Sequence, residues 1–209
     1  MIGVTGCHRV GKTTTVMKAA ELTGTAFVKS STSDYLKTRG VDINQPMNFL
    51  DRLSIQNGIL DNMIKDLEKH TSIIGLADRT PLDIAAYTLC HYDPLTDWAF
   101  DKALKDHIDN CVKATIGNFD CIYMLQPGIP IVEEEDKITA NSTEGYMQKF
   151  NTILLGLLHK VGQNGTVMIS LGLEDCLDLD LRVNHLISLL DLDQQKIDPM
   201  FCFKERTIH

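Results

Sequence analysis

The sequence predicts an α/β domain in which a parallel sheet is covered by helices on both faces, and three observations carry that expectation. Short apolar or β-branched runs alternate with helical spacings along the whole chain. A glycine-rich break separates the first such run from the first helical stretch, as it does where a strand ends on a ligand-binding loop. The length of 209 residues suits one domain over residues 1–209, with room for a small lid and little more.

The elements follow in order. Ile2, Val4 and Thr5 form a first strand, Gly6 to Gly11 break it, and Lys12 to Leu22 continue with helical spacing. Thr25 to Lys29 reads as a second strand, and the polar cluster Ser30, Ser31, Thr32, Ser33 and Asp34 reads as a loop at its end. From Asn48 to Lys69 the apolar side chains Leu50, Leu53, Ile55, Ile59, Leu60, Met63, Ile64 and Leu67 recur near the helical period, leaving Arg52 and Gln56 one turn apart. Ser72 to Ala77 is a third strand ended by Asp78 and Arg79, and Pro81 sits at the first turn of a helix Leu82 to Cys90. A turn around Asp93 and Pro94 leads into a helix from Leu95 to about Ile116, and Cys121 to Leu125 is a fourth strand. Pro127, Gly128 and Pro130 open a polar stretch to Thr143, the lid candidate at 127–143. A helix Glu144 to Val161, a fifth strand Val167 to Ser170 and a helix Leu173 to Leu190 complete the pattern.

Composition narrows the function classes. Apolar residues at 44% and charged residues at 23% are the balance of a folded globular chain. A formal net charge of -8 repels polyanions, so extended nucleic acid is not an expected partner, while a small anion in a shielded pocket is compatible. The cysteines at 7, 90, 111, 121, 176 and 202 show no Cys-x-x-Cys pairing, which argues for reduced buried thiols rather than zinc or disulfides. Met1 to Thr5 run directly into the glycine motif without a secretory signal, and no apolar run approaches membrane-spanning length, so a cytoplasmic protein away from membranes is expected.

Gly6-Cys7-His8-Arg9-Val10-Gly11-Lys12-Thr13 fits G-x-x-x-x-G-K-[ST] between a strand and a helix, the context that its mechanism demands. Gly6, Val10, Gly11, Lys12, Thr13 and Thr14 are therefore the expected nucleotide-binding residues. Glycines let main-chain N–H groups converge on the β-phosphate, Lys12 bridges the β- and γ-oxygens, and Thr13 offers its hydroxyl oxygen to Mg²⁺. ATP and Mg²⁺ are the expected cofactors. The motif alone does not separate a kinase from a switch or a motor.

Asp78-Arg79-Thr80 with Asp83, Ala86 and Tyr87 resembles the D-R-x-x-x-S-x-x-A-Y segment after the third strand of thymidylate kinases, with Asp83 in place of the serine. The resemblance implies a three-layer P-loop NTPase fold of the nucleotide-kinase type, with a five-stranded parallel sheet and a short lid. It also implies that Arg79 contacts both phosphates and that Asp78 lies beside metal and acceptor, making Thr13 and Asp78 the metal residues. Some members of that family carry an arginine where Arg9 stands and none in the lid, and residues 127–143 hold no arginine here, so Arg9 joins Lys12, Arg79 and Asp78 as a catalytic candidate. His8 stands where that group has an aspartate touching the sugar, a departure from the family pattern at the position that recognises the sugar. Arg52, Gln56, Arg79, Asp83, Tyr87 and Asp34 are the acceptor-side candidates. The chain is also similar to compact nucleotide kinases of bacteriophages.

The leading expectation is a deoxynucleoside monophosphate kinase passing the γ-phosphate of ATP to a small nucleotide. A nucleoside-type kinase, including ribosylnicotinamide kinase, is the enzyme alternative, with Asp34 or Asp78 as a carboxylate base for a hydroxyl acceptor. A regulatory ATP-binding module is the alternative outside metabolism, and a homodimer is left open.

Overall fold

The structure is a computed structural model that describes residues 1–42, 45–70, 74–126, 143–164, 167–170 and 177–194. Its centre is built from the runs read as strands. β1 (Ile2–Thr5), β2 (Ala26–Val28), β3 (Gly75–Asp78), β4 (Cys121–Met124) and β5 (Val167–Ser170) form one sheet in the order β2-β3-β1-β4-β5. Every pairing is parallel, with Ile2 opposite both Leu76 and Cys121, Ala26 opposite Gly75, and Cys121 opposite Val167. Ile2, Val4, Leu76 and Ile122 are wholly buried, because a sheet covered on both faces gives its side chains no water on either side.

The helices make the two outer layers. α1 (Lys12–Thr23) packs on α7 (Leu179–Gln194), while α4 (Pro81–His91) packs on α3 (Phe49–Glu68), α5 (Asp101–Asn118) and α6 (Glu144–Gly162). Local chemistry sets their ends. Asn48 caps α3 by accepting from the Asp51 amide at 2.8 Å, Pro81 occupies the first turn of α4, and Gly24 closes α1 in the left-handed region at φ 68°. Thr143 caps α6 by accepting from the Tyr146 amide.

Several expected elements are corrected. The polar cluster Ser30 to Asp34 is not a loop throughout: α2 (Thr32–Arg39) begins inside it and puts Asp34 in its first turn. That helix buries no residue fully, so it lacks the apolar stripe by which helices are read. The helix expected from Leu95 begins at Asp101, after a short 3₁₀ turn Trp98–Phe100. Asp93 and Asp97 hold the intervening turn by accepting from the Leu95 and Asp93 amides, and Leu95 is 86% exposed, an apolar residue that belongs to no helical face. The last helix starts at Leu179, where the Asp178 carboxylate accepts from the Asp180 and Leu181 amides. The part of that expected helix at Leu173–Cys176, and lid residues 127–142, lie outside the described residues.

Candidate functional site

β1 is the centre of the sheet, with β3 on one side and β4 on the other. Open parallel sheets bind ligands beyond the carboxyl ends of strands at such a reversal of strand order. Both sequence motifs arrive there: the loop Gly6–Gly11 leaves β1, and Asp78 and Arg79 leave β3.

The loop has the backbone that the motif requires. A Cβ on Gly6 would lie 2.4 Å from the Leu125 carbonyl oxygen, and Gly6 at φ 146° and Gly11 at φ 79° occupy regions that favour glycine. Arg9 shares the left-handed region at φ 62°. Gly11 leads into α1 with no side chain capping the helix, so no side chain takes up the amides of its first turn. Val10 is buried, and its carbonyl accepts from Arg182 Nη1 of α7 at 2.9 Å; Thr14 is exposed on the first turn of α1.

Lys12 is only 6% exposed and folds back over the loop, donating from Nζ to the Gly6 and Cys7 carbonyls at 2.7 and 2.6 Å. Burial, and then the nearby Arg79 charge, pull its pKa down to about 8. Thr13 Oγ1 donates to Asp78 Oδ2 at 2.6 Å, while Asp78 Oδ1 is buried without a hydrogen bond among the described residues. A carboxylate oxygen in that state is costly, and a hydroxyl and a carboxylate side by side are the hard oxygen donors that Mg²⁺ takes. Thr13 and Asp78 therefore fit the metal. No cluster of three or more His, Cys, Asp or Glu side chains suited to a metal occurs among the described residues.

From Thr13 and His8 a cavity of about 270 Å³ runs between β3, α2, α3, α4 and α6. Lys29, Arg79, Gln56, Tyr87 and Phe150 are among its lining residues. Gln56 is 4% exposed, yet it is one of the residues that border this space. His8 also borders it, and burial, followed by the charges of Arg79, Lys12 and Arg9, lowers its pKa to about 3, so the imidazole is neutral at physiological pH. Arg79 stands at φ 86°, uncommon for a residue with a Cβ, with its amide donating to the Val4 carbonyl at 3.0 Å.

The sequence-derived candidates divide accordingly. Lys12, Thr13, Asp78, Arg79, Asp83, Tyr87 and Gln56 converge on the loop and the cavity. Arg52 is not among the cavity's lining residues; its Nη1 donates to the hydroxyl of Tyr87, which is one of them, at 3.3 Å. Arg9 is exposed and is likewise not a lining residue, and Asp34 is exposed on α2. Asp83 borders the cavity, but its carboxylate already accepts from Thr5, Gly6 and Thr80. Lys29, Phe150 and Arg182 were not among the expected residues. Lys29 follows β2 directly at the ligand-binding edge, a signal that strand position alone supplies; Phe150 and Arg182 sit on helices where nothing in their spacing separates them from core or surface.

A family model described as an AAA domain matches residues 1–168. No curated protein matches the chain in sequence. Among solved structures, deoxyadenosine kinase from M. mycoides with its products dCMP and dCDP is similar at 16% identity and TM-score 0.60, over 91% of this chain and 98% of that one. NadR in complex with NR is similar at 17% identity and TM-score 0.64, over 94% of this chain and 51% of that one. NadR with NAD and AMP-PNP gives TM-score 0.61 at 17% identity, over 94% and 49%. The chain thus spans about half the length of the NadR chains. At these identities the likeness establishes the fold, an α/β P-loop kinase-like fold with a parallel sheet.

Proposed function

We propose, from the premise that the chain belongs to the AAA domain family, that it is an ATP-dependent phosphotransferase acting on a small nucleotide, most specifically a deoxynucleoside monophosphate. The observation that carries this reading is that the phosphate loop and the cavity are continuous, since His8 and Thr13 of the loop line the same space as Gln56, Tyr87 and Phe150. A donor on the loop and an acceptor in the cavity would face each other with little room for bulk water, which favours transfer over hydrolysis.

In this reading the α1 amides and Lys12 hold the triphosphate, with Lys12 leaving the Gly6 and Cys7 carbonyls for phosphate oxygens. Thr13 and Asp78 would hold Mg²⁺, which when bound neutralises the β- and γ-phosphate oxygens. An oxygen of the acceptor phosphate forms a bond to the γ-phosphorus as the bond from that phosphorus to the β,γ-bridging oxygen breaks, and ADP leaves. Arg79 faces the transferring group from the β3 end. Arg9 is assigned to the γ-phosphate by resemblance.

A phosphate acceptor is supported by the charge of the cavity. Lys29 and Arg79 line it; of the carboxylates that line it among the described residues, Asp83 is taken up by the loop and α4, while Asp78 accepts from Thr13 through Oδ2 and would turn Oδ1 to Mg²⁺. An ionised acceptor needs cations and no base, whereas a hydroxyl acceptor benefits from a free carboxylate. The similarity in fold to deoxyadenosine kinase and to NadR favours the second reading, a nucleoside acceptor. Turnover of ATP-Mg²⁺ with a panel of deoxynucleosides, nicotinamide riboside and all nucleoside monophosphates decides between them. ADP release with a monophosphate is expected; release with nucleosides alone would favour the second reading, and slow hydrolysis indifferent to every acceptor would overturn both.

A further inference from the structure

We infer that Asp83 is a positioning residue that holds the phosphate loop and the Arg79 turn in one register before any substrate arrives. This rests on the reading above, in which the loop carries the donor and Arg79 faces the acceptor. The Asp83 side chain is 3% exposed and lies at the seam between β1 and α4. Its Oδ2 accepts from Thr5 Oγ1 at 2.8 Å, the Thr80 amide at 2.8 Å and Thr80 Oγ1 at 3.1 Å. Its Oδ1 accepts from the Gly6 amide, the first of the loop, at 3.3 Å.

Capping α4 requires the contact to the Thr80 amide alone. The contacts to Thr5 and Gly6, 78 and 77 residues away, add nothing to the cap and tie the end of β1 to the start of α4. Between these anchors stands Arg79 at φ 86°. A residue persists in such a conformation where its surroundings over-determine it. Here Val4 fixes the Arg79 amide, and Asp83 fixes the next residue, Thr80. One carboxylate thus sets the offset between the loop that would hold the donor and the arginine that would receive the transferring group.

Asp83→Asn separates this role from capping. An amide offers one acceptor oxygen; left with Thr5 and Thr80, it turns its NH₂ toward the Gly6 N–H, donor against donor, so the loop contact is lost and the cap kept. At saturating substrates kcat is expected to fall about tenfold to a hundredfold, with the acceptor KM within about threefold of the parent. The ligand-free melting temperature is expected to stay within a few degrees. In single-turnover measurements on an Arg79→Ala background, the same substitution is expected to cost no more than about twofold, because the register between loop and guanidinium no longer matters once the guanidinium is gone. An unchanged kcat in the single variant, or full multiplicative losses in both backgrounds, would overturn the inference. Should Asp83→Asn fail to fold, Thr5→Val removes one donor from the same carboxylate at constant shape; a fall in kcat of about threefold is expected, and no fall overturns the inference. Lys12→Ala, measured alongside, keeps the two ideas apart: normal turnover there defeats the phosphate-loop reading itself, whereas loss there with Asp83→Asn unaffected defeats the positioning role alone.

Discussion

The two halves of the cavity are made differently. The half proposed to hold the donor is one contiguous loop and the first turn of the helix it enters, Gly6 to Thr13, completed by Asp78 from the neighbouring strand. The half proposed for the acceptor draws residues from β3, α2, α3, α4 and α6, so that Gln56 and Phe150, 94 positions apart, meet with Arg79 and Tyr87 around one space. A site written in adjacent residues is fixed by local backbone geometry, while a site assembled at distance is fixed by helix packing. The first should tolerate change poorly and the second should change its selectivity more readily than its rate.

Lys12→Ala attacks the contiguous half and should have the largest effect, a fall in turnover of about a thousandfold or more in steady-state assays, with the fold retained by circular dichroism. Arg79→Ala, at the boundary between the halves, should lower turnover by about a hundredfold. Loss of ATP affinity alone, measured by calorimetry, would instead move Arg79 to the donor half. Gln56→Ala belongs to the assembled half: an acceptor KM raised about tenfold with kcat nearly constant is expected, and an equal fall in kcat would break the distinction.

Acid–base behaviour sharpens the same contrast with smaller effects. Lys12 has a folded pKa lowered to about 8 from the ordinary lysine value of 10.5, so the unfolded chain binds the extra proton between those values. Ligand-free stability should therefore rise as pH climbs through that window, while ATP affinity falls, because phosphate binding needs the charged amine. Lys12→Met should abolish the rise in melting temperature. His8, lowered to about 3 from 6.5, should make stability decline as pH drops through that interval, and His8→Asn should remove this modest component. An imidazole that titrates near pH 6.5 by NMR would contradict the burial of His8 in the loop.

The same division explains what was legible in the sequence. The loop and the Asp78-Arg79 pair could be read because their chemistry needs particular residues at fixed spacing, and the long helix α3 could be read because its apolar stripe is buried. α2 could not: Tyr35 and Leu36 are only partly buried, so the pattern lacked a stripe and the polar residues Ser30 to Asp34 dominated. Arg52 and Gln56, one turn apart, are equivalent by spacing, yet Gln56 lines the cavity and Arg52 reaches the Tyr87 hydroxyl; that choice depends on how α3 is rotated against α4, which helical spacing does not encode. Asp83 was expected on the substrate, whereas Thr5 and Gly6 compete for it through contacts that exist only once β1 and α4 are adjacent.

The contact from Arg182 to the Val10 carbonyl joins residues 172 positions apart. During synthesis the phosphate loop therefore emerges from the ribosome long before the helix that braces it. α7 also lies beyond the segment matched by the family model, which stops at residue 168. A nascent or truncated chain ending before α7 would carry every residue of the loop motif and still lack the brace beneath it, so nucleotide-binding competence should come late, with the docking of the final helix, rather than with the motif itself.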